Sequence, residues 1–303
     1  MDNNEVPNGT ADNIIFDWNA VRESIRSWLR EDVGPGDVTT LSTIAQSHRS
    51  RAVIHAKADG VAAGLPVARL VFAETDDSLQ VRFIAPEGSD IKYGDILMEV
   101  EGSTRSILTG ERLALNLLQR MSGIATKTRS FVAALQDLPN PPRIVDTRKT
   151  TPGLRLLEKY AVRVGGGHNH RFGLFDAVLL KDNHLKAAGG VAEAIAMARA
   201  QIPHTMRVEV EAESLEQVKE ATESGADVIM LDNMSGDAMR EAVAWIRQAA
   251  PRTVVEASGG VSLETVRSIA ETGVDVISVG GLTHSVPALD ISLDLYDKKE
   301  VRP

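Results

Sequence analysis

The chain has 303 residues, 43% of them apolar and 25% charged, which is the ordinary globular range and excludes a disordered, collagenous or low-complexity polymer. It contains no cysteine, so disulfides, thiolate nucleophiles and Cys-ligated zinc or iron–sulfur centres are excluded as well. The formal charge of −9 opposes nucleic-acid binding, no apolar run reaches the ~18 residues of a membrane span, and the first residues lack a signal peptide's cationic and apolar regions; a cytoplasmic protein with small-molecule partners is expected.

Residues 1–13 read as a disordered lead-in. Val21, Ile25, Trp28 and Leu29 then fall on one face at helical spacing, which predicts a helix over 17–30 with Asp17 as its N-cap. Between Arg51 and Leu108, β-branched runs (Ala52–Ile54, Val81–Ile84, Ile96–Val100) alternate with Gly60, Gly88, Gly94 and Gly102, the texture of an antiparallel sheet. Leu113, Leu117, Leu118, Met121, Ile124, Phe131 and Leu135 form the stripe of a long helix over 111–138, ended by the prolines at 139, 141 and 142.

Beyond Arg143 one unit recurs, an apolar run that ends in a polar or glycine tip and is followed by an amphipathic helix. Two copies, Ala221–Ile229 and Ala270–Ile277, can be laid over each other, each with a glycine ending a helix just before the next strand. Near-continuous apolar strands alternating with helices mean parallel strands buried on both faces, and the regular spacing favours a barrel. Chemistry in such barrels sits at the C-terminal strand ends, where every tip lies.

Those tips gather Arg148, Lys149, His170, Arg171 and Lys181 on one side and the carboxylates of Glu211 and Asp232 opposite. A lysine at the inner end of a buried strand calls for an anion, and such a cluster in an acidic chain implies a polyanionic small substrate. Ser258-Gly259-Gly260 and Gly280-Gly281, on the last two strands, occupy the place where barrels seat a phosphate. Glu211 and Asp232 suit Mg²⁺, directly or through water, or ribose hydroxyls. A zinc site built on His168, His170 and His184 ranks below a histidine used as an anion donor. The plainer readings make Asp182, Asn183 and Asn233 helix N-caps and place Glu209 on the strand face of Glu211.

Six strings carry a resemblance: Glu111–Asn116, Ser122–Thr126, Asp146–Arg155 (Asp-Thr-Arg-Lys-Thr-Thr-Pro-Gly-Leu-Arg), Gly165–Arg171, Lys181-Asp182-Asn183-His184 and Glu256–Gly260. In these the chain resembles the quinolinate phosphoribosyltransferase family, from about Asp17 to about Leu293. The resemblance implies conversion of quinolinate and phosphoribosyl pyrophosphate to nicotinate mononucleotide, pyrophosphate and carbon dioxide with Mg²⁺, in de novo NAD biosynthesis. It implies a type II phosphoribosyltransferase-like fold: an N-terminal α/β sandwich (14–118), an incomplete parallel α/β barrel (119–290), and a C-terminal tail (291–303) returning to the first domain. It also implies a homodimer, or a higher oligomer of dimers, with shared sites.

Residue by residue, the resemblance puts Arg148, His170, Arg171, Lys181 and a neighbouring subunit's Arg112 on the quinolinate carboxylates. Lys149 meets pyrophosphate or the dicarboxylate, and Thr147 lies in the same string. Glu211 and Asp232 meet the ribose and the metal. Ser258, Gly259, Gly260, Val279, Gly280 and Gly281 seat the 5′-phosphate. Lys149, Lys181, Glu211 and Asp232 are the implied catalytic set. The rival readings are a nicotinate phosphoribosyltransferase, a Schiff-base aldolase using Lys181, and a non-catalytic phosphosugar binder.

Overall fold

The computed structural model describes residues 16–296; the expected lead-in over 1–13, and the tail beyond Tyr296, lie outside the described residues. The chain order is α1 (Trp18–Val33), α2 (Val38–Thr43), β1 (Arg49–Ala56), β2 (Gly60–Val61), α3 (Leu65–Thr75), β3 (Gln80–Phe83), β4 (Asp90–Ile91), β5 (Ile96–Ser103) and α4 (Thr104–Ala133). Next come β6 (Arg143–Val145), α5 (Arg155–Val164), β7 (Val178–Leu180), α6 (Asp182–Ala188), α7 (Val191–Gln201), β8 (Val208–Ala212) and α8 (Leu215–Glu223). The chain closes with β9 (Val228–Asp232), α9 (Gly236–Ala249), β10 (Val254–Ser258), α10 (Val266–Ala270), β11 (Val276–Ser278), α11 (Gly281–His284) and β12 (Ile291–Tyr296). No helix among the described residues is long and apolar enough to cross a membrane.

Two compact units form. The first takes the chain through Arg129, then Thr151–Gly166 and the residues from Ser285 onward; the second takes Ser130–Thr150 and Gly167–His284. In the first unit an antiparallel sheet runs in the order β12-β1-β5-β3. α1 buries Val21 and Ile25, and Asp17 caps it by accepting from the Asn19 and Ala20 N–H groups at 3.1 and 3.0 Å. Glu87 caps α3 from a distance, accepting from the Gly64 and Leu65 N–H groups at 2.7 and 3.0 Å, while burial pushes its carboxyl up to about 7.

The long helix differs from its expected span. α4 begins seven residues earlier, at Thr104, because Gly110 does not break it: a Cβ there would stand 3.0 Å from Thr75 Oγ1 and 3.2 Å from Phe72, so the glycine serves close packing. It ends at Ala133, where the Leu135 and Leu138 N–H groups bond back three residues, to Val132 and Leu135, and tighten the chain ahead of Pro139.

The second unit is the incomplete barrel. Its six parallel strands run β6-β11-β10-β9-β8-β7, so the consecutive strands β6 and β7 are the two open edges. The self-similar stretches perform the same task twice. Gly225 and Gly273 take φ values of 77° and 90° at the helix ends. Asp227 then accepts from the Val208 N–H at 2.8 Å and pairs with Arg199 at 3.0 Å, while Asp275 accepts from the Val255 N–H at 2.7 Å and pairs with Arg247 at 2.7 Å. Each aspartate thus latches its strand to the neighbouring strand and to a helix. Asp275→Ala leaves the buried Val255 N–H without its acceptor and is expected to lower stability by about 1–3 kcal/mol, read as a lower urea midpoint at unchanged slope.

Candidate active site

The site is assembled by the second unit alone, at the C-terminal ends of its strands. Alternate residues of a strand share a face, so β8 carries Glu209 and Glu211 on one side, β9 carries Met230 and Asp232, and β10 carries Glu256 and Ser258. Register sets their heights, with Glu211 level with Met230 and Glu256, and Asp232 level with Ser258. Together with Thr147, Arg148 and Lys149 after β6, His170 and Arg171 ahead of β7, and Lys181 after it, they line one cavity of about 550 Å³. Gly259 and Gly260 close its rim.

Like charges converge in this cavity. The Arg171 guanidinium is partly buried and donates through Nη1 to the Ala177 carbonyl at 3.0 Å, while its buried Nε–H has no hydrogen-bond partner. Burial and then the neighbouring Arg148 guanidinium hold its pKa below the ordinary arginine value, the condition that an anion between them would relieve. Across the cavity Lys181 Nζ meets Glu211 Oε2 at 2.5 Å. His170 is engaged through both ring nitrogens, since Nδ1 accepts the Arg171 N–H at 2.8 Å and Nε2 faces Glu209 Oε2 at 3.2 Å.

The N-cap readings at three tips do not hold. α6 starts at Asp182, so Lys181 takes the cap position and its N–H donates to His184 Nδ1 at 3.0 Å; Asp182, inside the first turn, pairs with Lys186 at 2.6 Å. Asn183 follows within the helix. α9 is capped by Ser235, whose hydroxyl accepts from the Ala238 N–H at 3.3 Å. Asn233 instead adopts a left-handed φ of 54°, donating from its backbone to the Ser258 carbonyl at 3.0 Å and from Nδ2 to Asp232 Oδ2 at 2.7 Å. Gly259, at φ 93°, lies where any side chain would collide with the Asn233 amide, so the turn beside Ser258 needs glycine twice over, for conformation and for room.

Of the residues proposed from sequence, Arg112, Val279, Gly280 and Gly281 do not line the cavity. Arg112 is exposed on α4 in the first unit, and Val279 is buried. Gly280 stands against the stem of Lys149, whose Cδ would be 3.1 Å from an added Cβ. Sequence reasoning missed Glu256 and Ser278, although stepping back two residues from Ser258 along its strand points to Glu256. It also missed Glu213, which with Glu211 and Asp232 offers carboxylate oxygens all within 4.8 Å of one another. This hard, anionic oxygen set fits Mg²⁺, with Lys181 balancing part of its charge.

A parallel barrel left open between β6 and β7, with a cationic mouth set against carboxylates, has the architecture of a type II phosphoribosyltransferase. Comparison with known proteins narrows the class. The C-terminal domain of quinolinate phosphoribosyl transferase matches residues 124–294 and its N-terminal domain matches residues 37–122. A probable nicotinate-nucleotide pyrophosphorylase [carboxylating] of Bacillus subtilis is 45% identical over 91% of the chain and 93% of its own length. The crystal structure of NadC from Streptococcus pyogenes superposes with a TM-score of 0.87 at 43% identity, covering 94% of this chain and 100% of that one. The nicotinate-nucleotide pyrophosphorylase from Francisella tularensis gives a TM-score of 0.85 at 35% identity, over 97% and 98% of the two chains. The chain belongs to the quinolinate phosphoribosyltransferase family.

Proposed function

We propose that this pocket carries out the family's reaction, in which quinolinate and phosphoribosyl pyrophosphate give nicotinate mononucleotide, pyrophosphate and carbon dioxide, a step of de novo NAD biosynthesis. One observation carries the assignment of the site: Arg148 and Arg171, with a buried guanidinium N–H lacking a partner, converge on one side of a cavity whose other side holds Glu211 and Asp232. Two cations forced together fit a dicarboxylate, and Lys181 adds a third. His170 supports this grip from beneath by holding the Arg171 backbone.

Glu211 and Asp232 hold the ribose hydroxyls, and the Ser258–Gly260 turn offers the 5′-phosphate its backbone, with Gly280 and Gly281 adjoining. Pyrophosphate leaves the anomeric carbon through an oxocarbenium-like state, so the residues act by meeting charge as it develops, and Lys149 meets the departing anion. Glu211, Asp232 and Glu213 would hold Mg²⁺, which when bound neutralises part of the pyrophosphate charge. Attack by the pyridine nitrogen makes the ring cationic, and that charge stabilises the carbanion left as the adjacent carboxylate departs. No nucleophilic side chain is required.

Incubation with quinolinate, phosphoribosyl pyrophosphate and Mg²⁺ is expected to consume quinolinate with release of carbon dioxide. Equal turnover of nicotinate would overturn the substrate assignment. The two halves of the pocket are expected to separate in kinetics. Arg171→Lys loses the two-pronged geometry and weakens quinolinate binding by about 2–5 kcal/mol with little change for the phosphosugar. Asp232→Asn does the reverse, raising KM for phosphoribosyl pyrophosphate, and added Mg²⁺ partly restores it.

The working unit in this reading is a cytoplasmic homodimer, or an oligomer of dimers, with shared sites. Arg112 supports it, being exposed and outside its own chain's cavity, so that it serves the dianion of another copy. Mixing Arg112→Ala with Lys181→Ala, each nearly inactive, then tests the sharing directly. After subunit exchange about half the dimers are mixed and each has one intact site, so about a quarter of unmodified activity is expected to return. Activity that stays at baseline, with exchange confirmed by native mass spectrometry, would show that Arg112 does not act across an interface.

A further inference from the structure

Beneath the pocket lie two buried carboxylates that this reading leaves unused, both facing His170. Glu209 and Glu256 are only 5% and 3% exposed, and His170 Nε2 stands 3.2 Å from Glu209 Oε2 and 3.6 Å from Glu256 Oε1. The tautomer is fixed from the other side of the ring: Nδ1 accepts the Arg171 N–H, so in the neutral imidazole the proton sits on Nε2 and points at the carboxylates. This cluster is distinct from the acidic group of Glu211, Glu213 and Asp232.

Glu209 takes the imidazole hydrogen bond, whereas Glu256 Oε1 is buried with no hydrogen-bond partner. An ionised oxygen left so would be costly, and a carboxyl that keeps its proton is not. Burial first, then the charge of Glu209, push Glu256 up to about 8. The groups facing it are Glu209 from β8, His170 from the segment before β7 and the Ser278 hydroxyl from β11, while β9 contributes Met230, which does not titrate. Glu256 also lines the cavity, so its carboxyl stands against the substrate space although Oε1 itself is buried.

The reaction needs such a proton. When carbon dioxide leaves, the electron pair of the broken C–C bond stays on the ring carbon, which must gain H⁺ to become C–H. We propose that Glu256 is the catalytic acid that protonates this carbon. Its O–H bond breaks as the C–H bond forms, the side chain is left as a carboxylate, and a solvent proton restores it after product leaves. The proposal rests on the function given above.

Single-turnover rapid quench tests it, with pyrophosphate, quinolinate mononucleotide and nicotinate mononucleotide followed separately. For Glu256→Gln, pyrophosphate is expected within about threefold of the unmodified rate and nicotinate mononucleotide about 100-fold or more slower. The undecarboxylated adduct accumulates because the unprotonated ring carbanion recaptures carbon dioxide before it leaves the pocket. Nicotinate mononucleotide formed within about threefold of normal overturns the proposal. Equal loss of both steps also overturns it, because Glu256 would then only shape the site.

A second measurement needs no variant. In the unmodified enzyme the carbon-protonation step is expected to fall tenfold per pH unit above about 8, while pyrophosphate formation does not follow. A rate that holds through pH of about 9.5 excludes Glu256 and points to a lysine, whose ordinary pKa is about 10.4. Failure of the underlying function has a different signature: the unmodified protein releases no pyrophosphate from these substrates, and the proton demand disappears with it.

Discussion

A barrel left open between β6 and β7 exposes the edge of β6, and the way that edge is satisfied governs the site. The segment that follows α5 returns along it. His168 donates to the Ile144 carbonyl at 2.8 Å, and the Asp146 N–H donates to the His168 carbonyl at 3.2 Å. Asp146, fully buried, then takes the His170 N–H on Oδ1 at 3.0 Å and the Asn169 side chain on Oδ2 at 2.5 Å. The Arg171 N–H is in turn held by the His170 ring. One carboxylate therefore turns an exposed sheet edge into a support that carries a histidine and an arginine to the barrel mouth. A residue whose backbone is fixed this way loses little further freedom on meeting an anion.

Charge in the barrel is layered. Cations crowd the rim, where Glu211, Glu213 and Asp232 oppose them, and Glu209 and Glu256 lie beneath. The Lys181–Glu211 pair links the two sides, but the lysine side chain is 49% exposed, and a pair so close to water contributes little stability. A pair this weak can open at small cost when a competing anion reaches the cavity. The net charge of −9 is thus no obstacle to binding polyanions, because recognition depends on the local field of a few groups at a concave mouth.

Much of this was legible in the sequence, where the physics is local. The helix cap at Asp17, the glycines at 225 and 273 and the parallel direction of the strands all follow from spacing and propensity, and the Thr-Arg-Lys-Thr-Thr-Pro-Gly string points to the family. What stayed hidden depends on partners distant in the chain. The start of the long helix lies seven residues ahead of its expected one, and Gly110 inside it is packed against Phe72 and Thr75. Asn233 reads as a cap until the Ser258 carbonyl, on the next strand, is seen to hold it in a left-handed turn. The pairing of Glu209 with Glu256 crosses β9 between them, and no local pattern announces two carboxylates meeting through one imidazole.

The strand order of the first unit has a consequence for biosynthesis. β12 pairs with β1 along its length, from Arg51 opposite Tyr296 to Ala56 opposite Ile291, and lies at the end of the sheet order. It leaves the ribosome after every other described strand, so β1 emerges early and waits for most of the chain to be synthesised before its second neighbour exists. Until then β1 presents an open row of amide and carbonyl groups, the condition under which strands recruit wrong partners. Translation rate, through the length of that wait, sets how long the nascent first unit depends on β5 and its helices alone to keep its sheet from pairing elsewhere.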